Sequence, residues 1–121
     1  MPYNSLTPAE AAVLIHKTTE PPGSGEYDQF FQPGVFICRQ CNQPLFSAEA
    51  KFEAGCGWPA FEACFEGAVR ETIDVDGQRT EITCSNCGGH LGHVFRGEAL
   101  TATDTRHCVN SLAIRFVPDV I

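Results

Sequence analysis

Seven cysteines stand in this chain of 121 residues, and four of them form two matched pairs. Cys38 and Cys41 close the stretch CRQC, and Cys84 and Cys87 close CSNC. Each pair can fold back so that both sulfurs meet one point, and four thiolates around a tetrahedral centre suit Zn²⁺. Rubredoxin-like iron uses the same four ligands and stays open as an alternative. Four unrelated buried cysteines, or a redox C-x-x-C in one pair, explain the repeated spacing less well. A closed tetrathiolate leaves no open coordination position, so the metal is expected to be structural. Binding of this kind supplies ~10–16 kcal/mol, as much as a whole domain's stability. His90 and His93, in GGHLGHVF, could be combined with Cys84 and Cys87 into another ligand set. That set would leave Cys38 and Cys41 without a role, and the Cys87-to-His90 spacing is tight for a finger. Taken alone, both histidines read equally well as ordinary polar loop residues.

Three cysteines remain. Cys64 reads as a small buried hydrophobe. Cys56 lies between Gly55 and Gly57, just before Trp58 and Pro59, on a loop whose glycines permit movement. Cys108 lies in TRHCVNSLAIRF, Thr105 to Phe116, which reads as one half-buried strand. Leu112, Ile114 and Phe116 share a parity that should face a core, and the same parity carries Arg106, Cys108 and Asn110. A guanidinium two residues away favours the thiolate. Drawing an ordinary thiol from ~8.5 to near 7 takes about 2 kcal/mol, within reach of one well-placed cation. The plainer reading is a polar, fraying strand end.

The elements that must position these groups are short. LTPAEAAVLIHK opens as a helix, with Thr7 at the N-cap, Pro8 in the first turn and Glu10 placed for a capping box; His16 and Lys17 fall near its end. Pro21, Pro22, Gly23 and Gly25 then break it. GVFIC, Gly34 to Cys38, reads as a strand. Ala68 to Val75 and Gln78 to Cys84 read as a hairpin closed by the two residues Asp76-Gly77. The expected architecture is mainly β: one small, twisted antiparallel β-domain over residues 1–121 with an N-terminal helix and a structural zinc site. The net charge of −7 argues against nucleic acid as a partner. No apolar run is long enough to span a bilayer, and no signal-like segment opens the chain, so a cytoplasmic protein without a membrane partner is expected. Cysteines in a reducing compartment point to metal or catalysis.

CRQCNQPLF, KFEAGCGWPAF, CSNCGGHLGHVF and RHCVNS, in this order, closely resemble the B-type methionine sulfoxide reductases, and LTPAEAAVL and TTEPPGSGEY resemble the opening segment of that family. The resemblance covers nearly the whole chain. It implies a small antiparallel β-structure of the Mss4-like kind and reduction of the R epimer of methionine sulfoxide in proteins. By motif, Cys108 corresponds to the nucleophile and Cys56 to the resolving cysteine, so the resemblance implies a Cys108 sulfenic acid followed by a Cys56–Cys108 disulfide, reset by thioredoxin. Cys38, Cys41, Cys84 and Cys87 correspond to the zinc tetrad. Trp58 resembles the wall that receives the substrate methyl group. His90, His93 and Asn110 resemble the polar groups around the sulfoxide, and Arg106 the cation beside the nucleophile. Ala60 and Asp104 stand where serine and glycine are usual, and Cys64 has no family counterpart, which leaves a second resolving route open. A monomer is expected. The rival from another class is a noncatalytic Mss4-like zinc module, which gives no account of GCGWP, HLGHVF and RHCVNS together.

Overall fold

The computed structural model describes residues 3–119; residues 1–2 and 120–121 of the expected domain lie outside the described residues. Among the described residues one α-helix, α1 (Pro8–Leu14), precedes nine strands: β1 (Gly34–Cys38), β2 (Pro44–Ser47), β3 (Lys51–Phe52), β4 (Ala60–Phe61), β5 (Val69–Ile73), β6 (Thr80–Cys84), β7 (His90–Arg96), β8 (Thr105–Val109) and β9 (Ile114–Pro118). They form a three-stranded sheet, β2-β1-β9, and a six-stranded sheet, β3-β4-β8-β7-β6-β5. Every pairing is antiparallel. Among the described residues no helix is long and apolar enough to cross a membrane.

The helix starts as its residues dictate. The Thr7 hydroxyl accepts from the Glu10 amide, and the Glu10 carboxylate accepts from the Thr7 amide at 2.8 Å. His16 and Lys17 lie just past its end, where Lys17 turns left-handed at φ 61°. The sheets meet through aromatic rings. Phe46 of β2 stacks on Phe61 of β4 with centroids 4.4 Å apart, and Phe36 of β1 meets the same ring edge-on at 5.2 Å. All three are fully buried.

Two sequence expectations change. Thr105 to Phe116 is two strands in different sheets, joined by a 3₁₀ turn at Ser111–Ala113. Buried Glu20 accounts for the turn: its carboxylate accepts from the amides of Ser111 at 2.8 Å and Leu112 at 3.2 Å, donors that no neighbouring strand can serve. The break also resets the faces. In β8 the core-facing residues are His107 and Val109, while Arg106 and Cys108 are half-buried on the opposite face. The second change is in the hairpin. It exists, but its strands stop at Ile73 and restart at Thr80, so Asp74 to Arg79 form the connection. Asp76 caps that loop by accepting from the amides of Gln78 and Arg79. Gly77, at φ +73°, completes it.

Candidate active site

Antiparallel register places Cys108 opposite Ala60 on one side and His93 on the other. Residues opposite one another in register share a face, so one row runs Ala60, Cys108, His93 and Glu81 across four strands. The next row pairs Arg106 with Phe95. Gly92 permits this closeness, because a Cβ there would sit 1.9 Å from the Cys108 carbonyl oxygen.

The loop before β4 folds over this face. Gly55 and Gly57 take φ of +70° and +90°. Gly57 accepts from the Gly23 amide at 2.7 Å, which seats the proline-rich segment against the loop. The Trp58 indole N–H donates to the Glu20 carbonyl at 2.9 Å, fixing the ring plane. A cavity of about 190 Å³ results, lined by Cys56, Trp58, His93, Phe95, Arg106 and Cys108, with Thr19, Arg79, Gly92, Val109 and Asn110 completing its wall.

Inside it the Cys56 and Cys108 sulfurs are 4.0 Å apart. A disulfide needs about 2.05 Å, so closure asks for about 2 Å of travel, which a glycine-flanked loop can provide. Two thiols so close share their ionisation, and the first negative charge belongs to the pair. The hydrogen bond from Cys108 draws Cys56 down to about 6, with help from the Trp58 backbone and the Arg106 charge. The same hydrogen bond, then burial, pushes Cys108 up. The pair therefore shares one ionisation, and the Arg106 charge favours the anionic form of either sulfur. Arg106 acts on both sulfurs. It is held by a two-point pairing with Glu98, at 2.8 and 3.0 Å, and by the Phe95 ring, 4.4 Å below its guanidinium.

His90 and His93 are three residues apart, which would put them on opposite faces of a regular strand. The register shows why they are not. Thr83 faces His90 and Ile82 faces Gly92, so Leu91 is an extra residue, a β-bulge. The rings end up 5.7 Å apart, edge to face. His93 lines the cavity. His90 is buried behind it, outside the lining, with Nδ1 2.7 Å from Glu81, whose other oxygen meets Lys17 at 3.3 Å. His93 Nε2 lies 2.6 Å from Asp74. Asn110 anchors on the bulge: its amide and its side-chain Nδ2 both donate to the Leu91 carbonyl, at 2.9 and 3.0 Å, and its Oδ1 accepts from the Glu20 amide. One hydrogen of Nδ2 is left for the cavity. Glu20, Asp74 and Glu81 went unnoticed in the sequence, where nothing pairs them with distant partners. Cys64, half-buried, packs against the core, and burial raises its thiol.

The second site joins the sheets. The sulfurs of Cys38, Cys41, Cys84 and Cys87 all lie within 4.8 Å of one another. The two knuckles are built alike. Cys38 and Cys84 end β1 and β6, their amides donate to Gln43 and Gly89, and their carbonyls accept from Asn42 and Gly88. Asn42 and Gly88 are both left-handed, at φ 69° and 77°. Four sulfurs crowded this way could hold a metal ion, and the hydrogen bond from Cys38 draws Cys84 down to about 5 while Cys38 is pushed up in return. A tetrahedron with metal–sulfur bonds of about 2.3 Å has edges of about 3.8 Å. The Cys38–Cys87 and Cys41–Cys84 separations of 3.6 and 3.5 Å fit that frame.

A paired-thiol pocket on an antiparallel scaffold, beside a tetrathiolate able to hold a metal ion, defines a thiol-dependent oxidoreductase of the small β class. The chain belongs to the SelR family, whose domain model matches residues 6–118. It is 54% identical over 114 residues to "Peptide methionine sulfoxide reductase B5" of Arabidopsis thaliana, covering 93% of this chain and 82% of that protein. Identity is also 54% to "Peptide methionine sulfoxide reductase B3, chloroplastic" of Oryza sativa subsp. japonica, of which this chain spans 50%. "Peptide methionine sulfoxide reductase B6" of A. thaliana is 46% identical over 112 residues.

Proposed function

We propose that this chain, acting as one domain over residues 1–121, reduces the R epimer of methionine sulfoxide in peptides and proteins to methionine. The observation that carries the reading is the cavity holding Cys56 and Cys108 with sulfurs 4.0 Å apart, with Trp58 and His93 in its wall. The substrate methyl group lies against Trp58, a flat apolar wall. A soft thiolate at Cys108 attacks the sulfoxide sulfur. The negative charge shared by the pair is available to Cys108, since one proton moving between the sulfurs places it there. Arg106 supports the anion, and His93 and Asn110 face the oxygen as negative charge gathers on it. Oxygen passes to the Cys108 sulfur, methionine leaves as the thioether, and two electrons have moved from cysteine to substrate. Cys56 then condenses with the sulfenic acid, releasing water and forming the disulfide.

Thioredoxin fits the reductant, because a dithiol can attack an accessible disulfide and carry it away by exchange. We assign the tetrathiolate to Zn²⁺, held by Cys38, Cys41, Cys84 and Cys87, where the ion supplies cohesion between chain segments and takes no part in the redox step. His90 supports His93 from behind. A monomer in the cytoplasm accords with the self-contained cavity and with cysteines that are not joined in disulfides, which suit a reducing compartment. The test is to incubate the protein with each epimer of dabsylated methionine sulfoxide and a dithiol, following product. Consumption of the R epimer alone is expected; no turnover would overturn the reading.

A further inference from the structure

We propose that Asp74 is a positioning residue for His93, holding its ring so that Nδ1 delivers the proton to the departing oxygen; this rests on the reductase reading above. His93 Nε2 lies 2.6 Å from Asp74 Oδ2. A carboxylate only accepts, so Nε2 carries the hydrogen, and among the described residues Nδ1 has no partner on the protein. The other carboxylate oxygen accepts from the Val75 amide at 2.6 Å, and Arg79 Nη2 stands 3.5 Å from Oδ2, so the carboxylate cannot swing away. Its side chain is only 18% exposed, and that of His93 12%. The hydrogen bond from His93, then the Val75 amide, holds the Asp74 carboxyl below its usual range, so it is ionised at neutral pH. With Nε2 held on Asp74, Nδ1 is the ring nitrogen left for the substrate: the protonated ring gives its Nδ1 proton to the sulfoxide oxygen as the sulfur–oxygen bond breaks, and regains one from solvent between turnovers.

The charges around the ring are these. Glu81 on β6 and Cys108 on β8 oppose His93 in register, and His90 meets it along β7. Arg79, Arg106 and Cys56 line the same cavity. Only Asp74 and Arg79 come from the β5–β6 loop, so the loop's contribution can be changed without touching the thiols.

The experiment has two arms on the full-length protein. In the first, single-turnover reduction of N-acetyl-methionine-R-sulfoxide amide is followed against pH in wild type, Asp74→Asn, Asp74→Glu, His93→Ala and the Asp74→Asn/His93→Ala double variant. Asp74→Asn should slow the single turnover by about 10-fold or more and leave the half-saturating substrate concentration near wild type. Asp74→Glu should recover part of the loss, and the double variant should be no slower than His93→Ala. The second arm reads the ¹⁵N shifts of the His93 ring in the substrate-free protein. An Nε2–H tautomer is expected in wild type and a mixture in Asp74→Asn. A folded Asp74→Asn with unchanged rate and profile, or losses that multiply in the double variant, would overturn the proposal. So would an Nδ1–H tautomer in wild type. Absence of turnover in wild type would count against the reductase reading, while the tautomer would still decide the positioning.

Discussion

Replacing Cys56 by serine tests both the recycling scheme and the electrostatics of the paired thiols. At the observed 4.0 Å, two full negative charges repel by about 4 kcal/mol at an effective dielectric of ~20. That separates the two ionisations of the pair by about three pH units. Wild type should therefore lose its first proton near 6, where Cys56 stands, and its second about three units higher or more. In Cys56→Ser the largest cause raising Cys108 is gone, and Arg106 remains. A single step should replace the two, well below the second step of wild type. The assay is thiolate absorbance against pH, paired with alkylation of Cys108 by iodoacetamide and mass spectrometry. The same variant should complete one turnover of R-sulfoxide and lose steady-state turnover with thioredoxin. Dithiothreitol, small enough to reach the sulfenic acid, should partly restore it. Two widely separated steps persisting in Cys56→Ser would refute the coupling. Thioredoxin-supported turnover that survives in Cys56→Ser but not in Cys56→Ser/Cys64→Ser would make Cys64 a resolving thiol.

Cys108→Ser should abolish reduction while leaving the melting temperature within a few degrees of wild type; turnover near the wild-type rate would remove Cys108 from its role. Cys84→Ser should release bound metal and lower the melting temperature sharply, since the tetrad joins β1 to β6; metal analysis and calorimetry decide it, and a metal-free variant that melts unchanged would rule out a structural site. Gly92→Ala should destabilise by several kcal/mol, on the order of the largest single-residue effects, because backbone rather than a flexible side chain meets the new Cβ; urea titration with a loss below about 1 kcal/mol would show that the strands can part there.

The two cysteine knuckles, the capping box of α1 and the existence of the β5–β6 hairpin were legible because each is written in residues close together. Cys108 and Cys56 stood out by their neighbours, and the loop before β4, folded over the face of β8, then put them in one cavity. What could not be read was non-local. Parity counted through Asn110 failed because a buried carboxylate ninety-odd positions earlier holds Ser111 and Leu112 in a turn. The histidine spacing hid a bulge that only the pairing of β6 with β7 exposes. Asp74 read as a strand residue, and only the longer loop brings it to His93.

The chain crosses from one sheet to the other between Val109 and Ile114, immediately after Cys108. A metal ion held by the knuckles would tie the same two sheets a second time. Layers tied twice in this way could not shear apart without dragging Cys108, so opening of the sheets and loss of the cavity should be one cooperative event. Amides of β7, β8 and β9 should then exchange with solvent only through global unfolding, at a common free energy. Whatever local breathing accompanies disulfide closure is confined to the covering loop. Cys56 is carried by a segment that can open cheaply, and Cys108 by one that should open only when everything does.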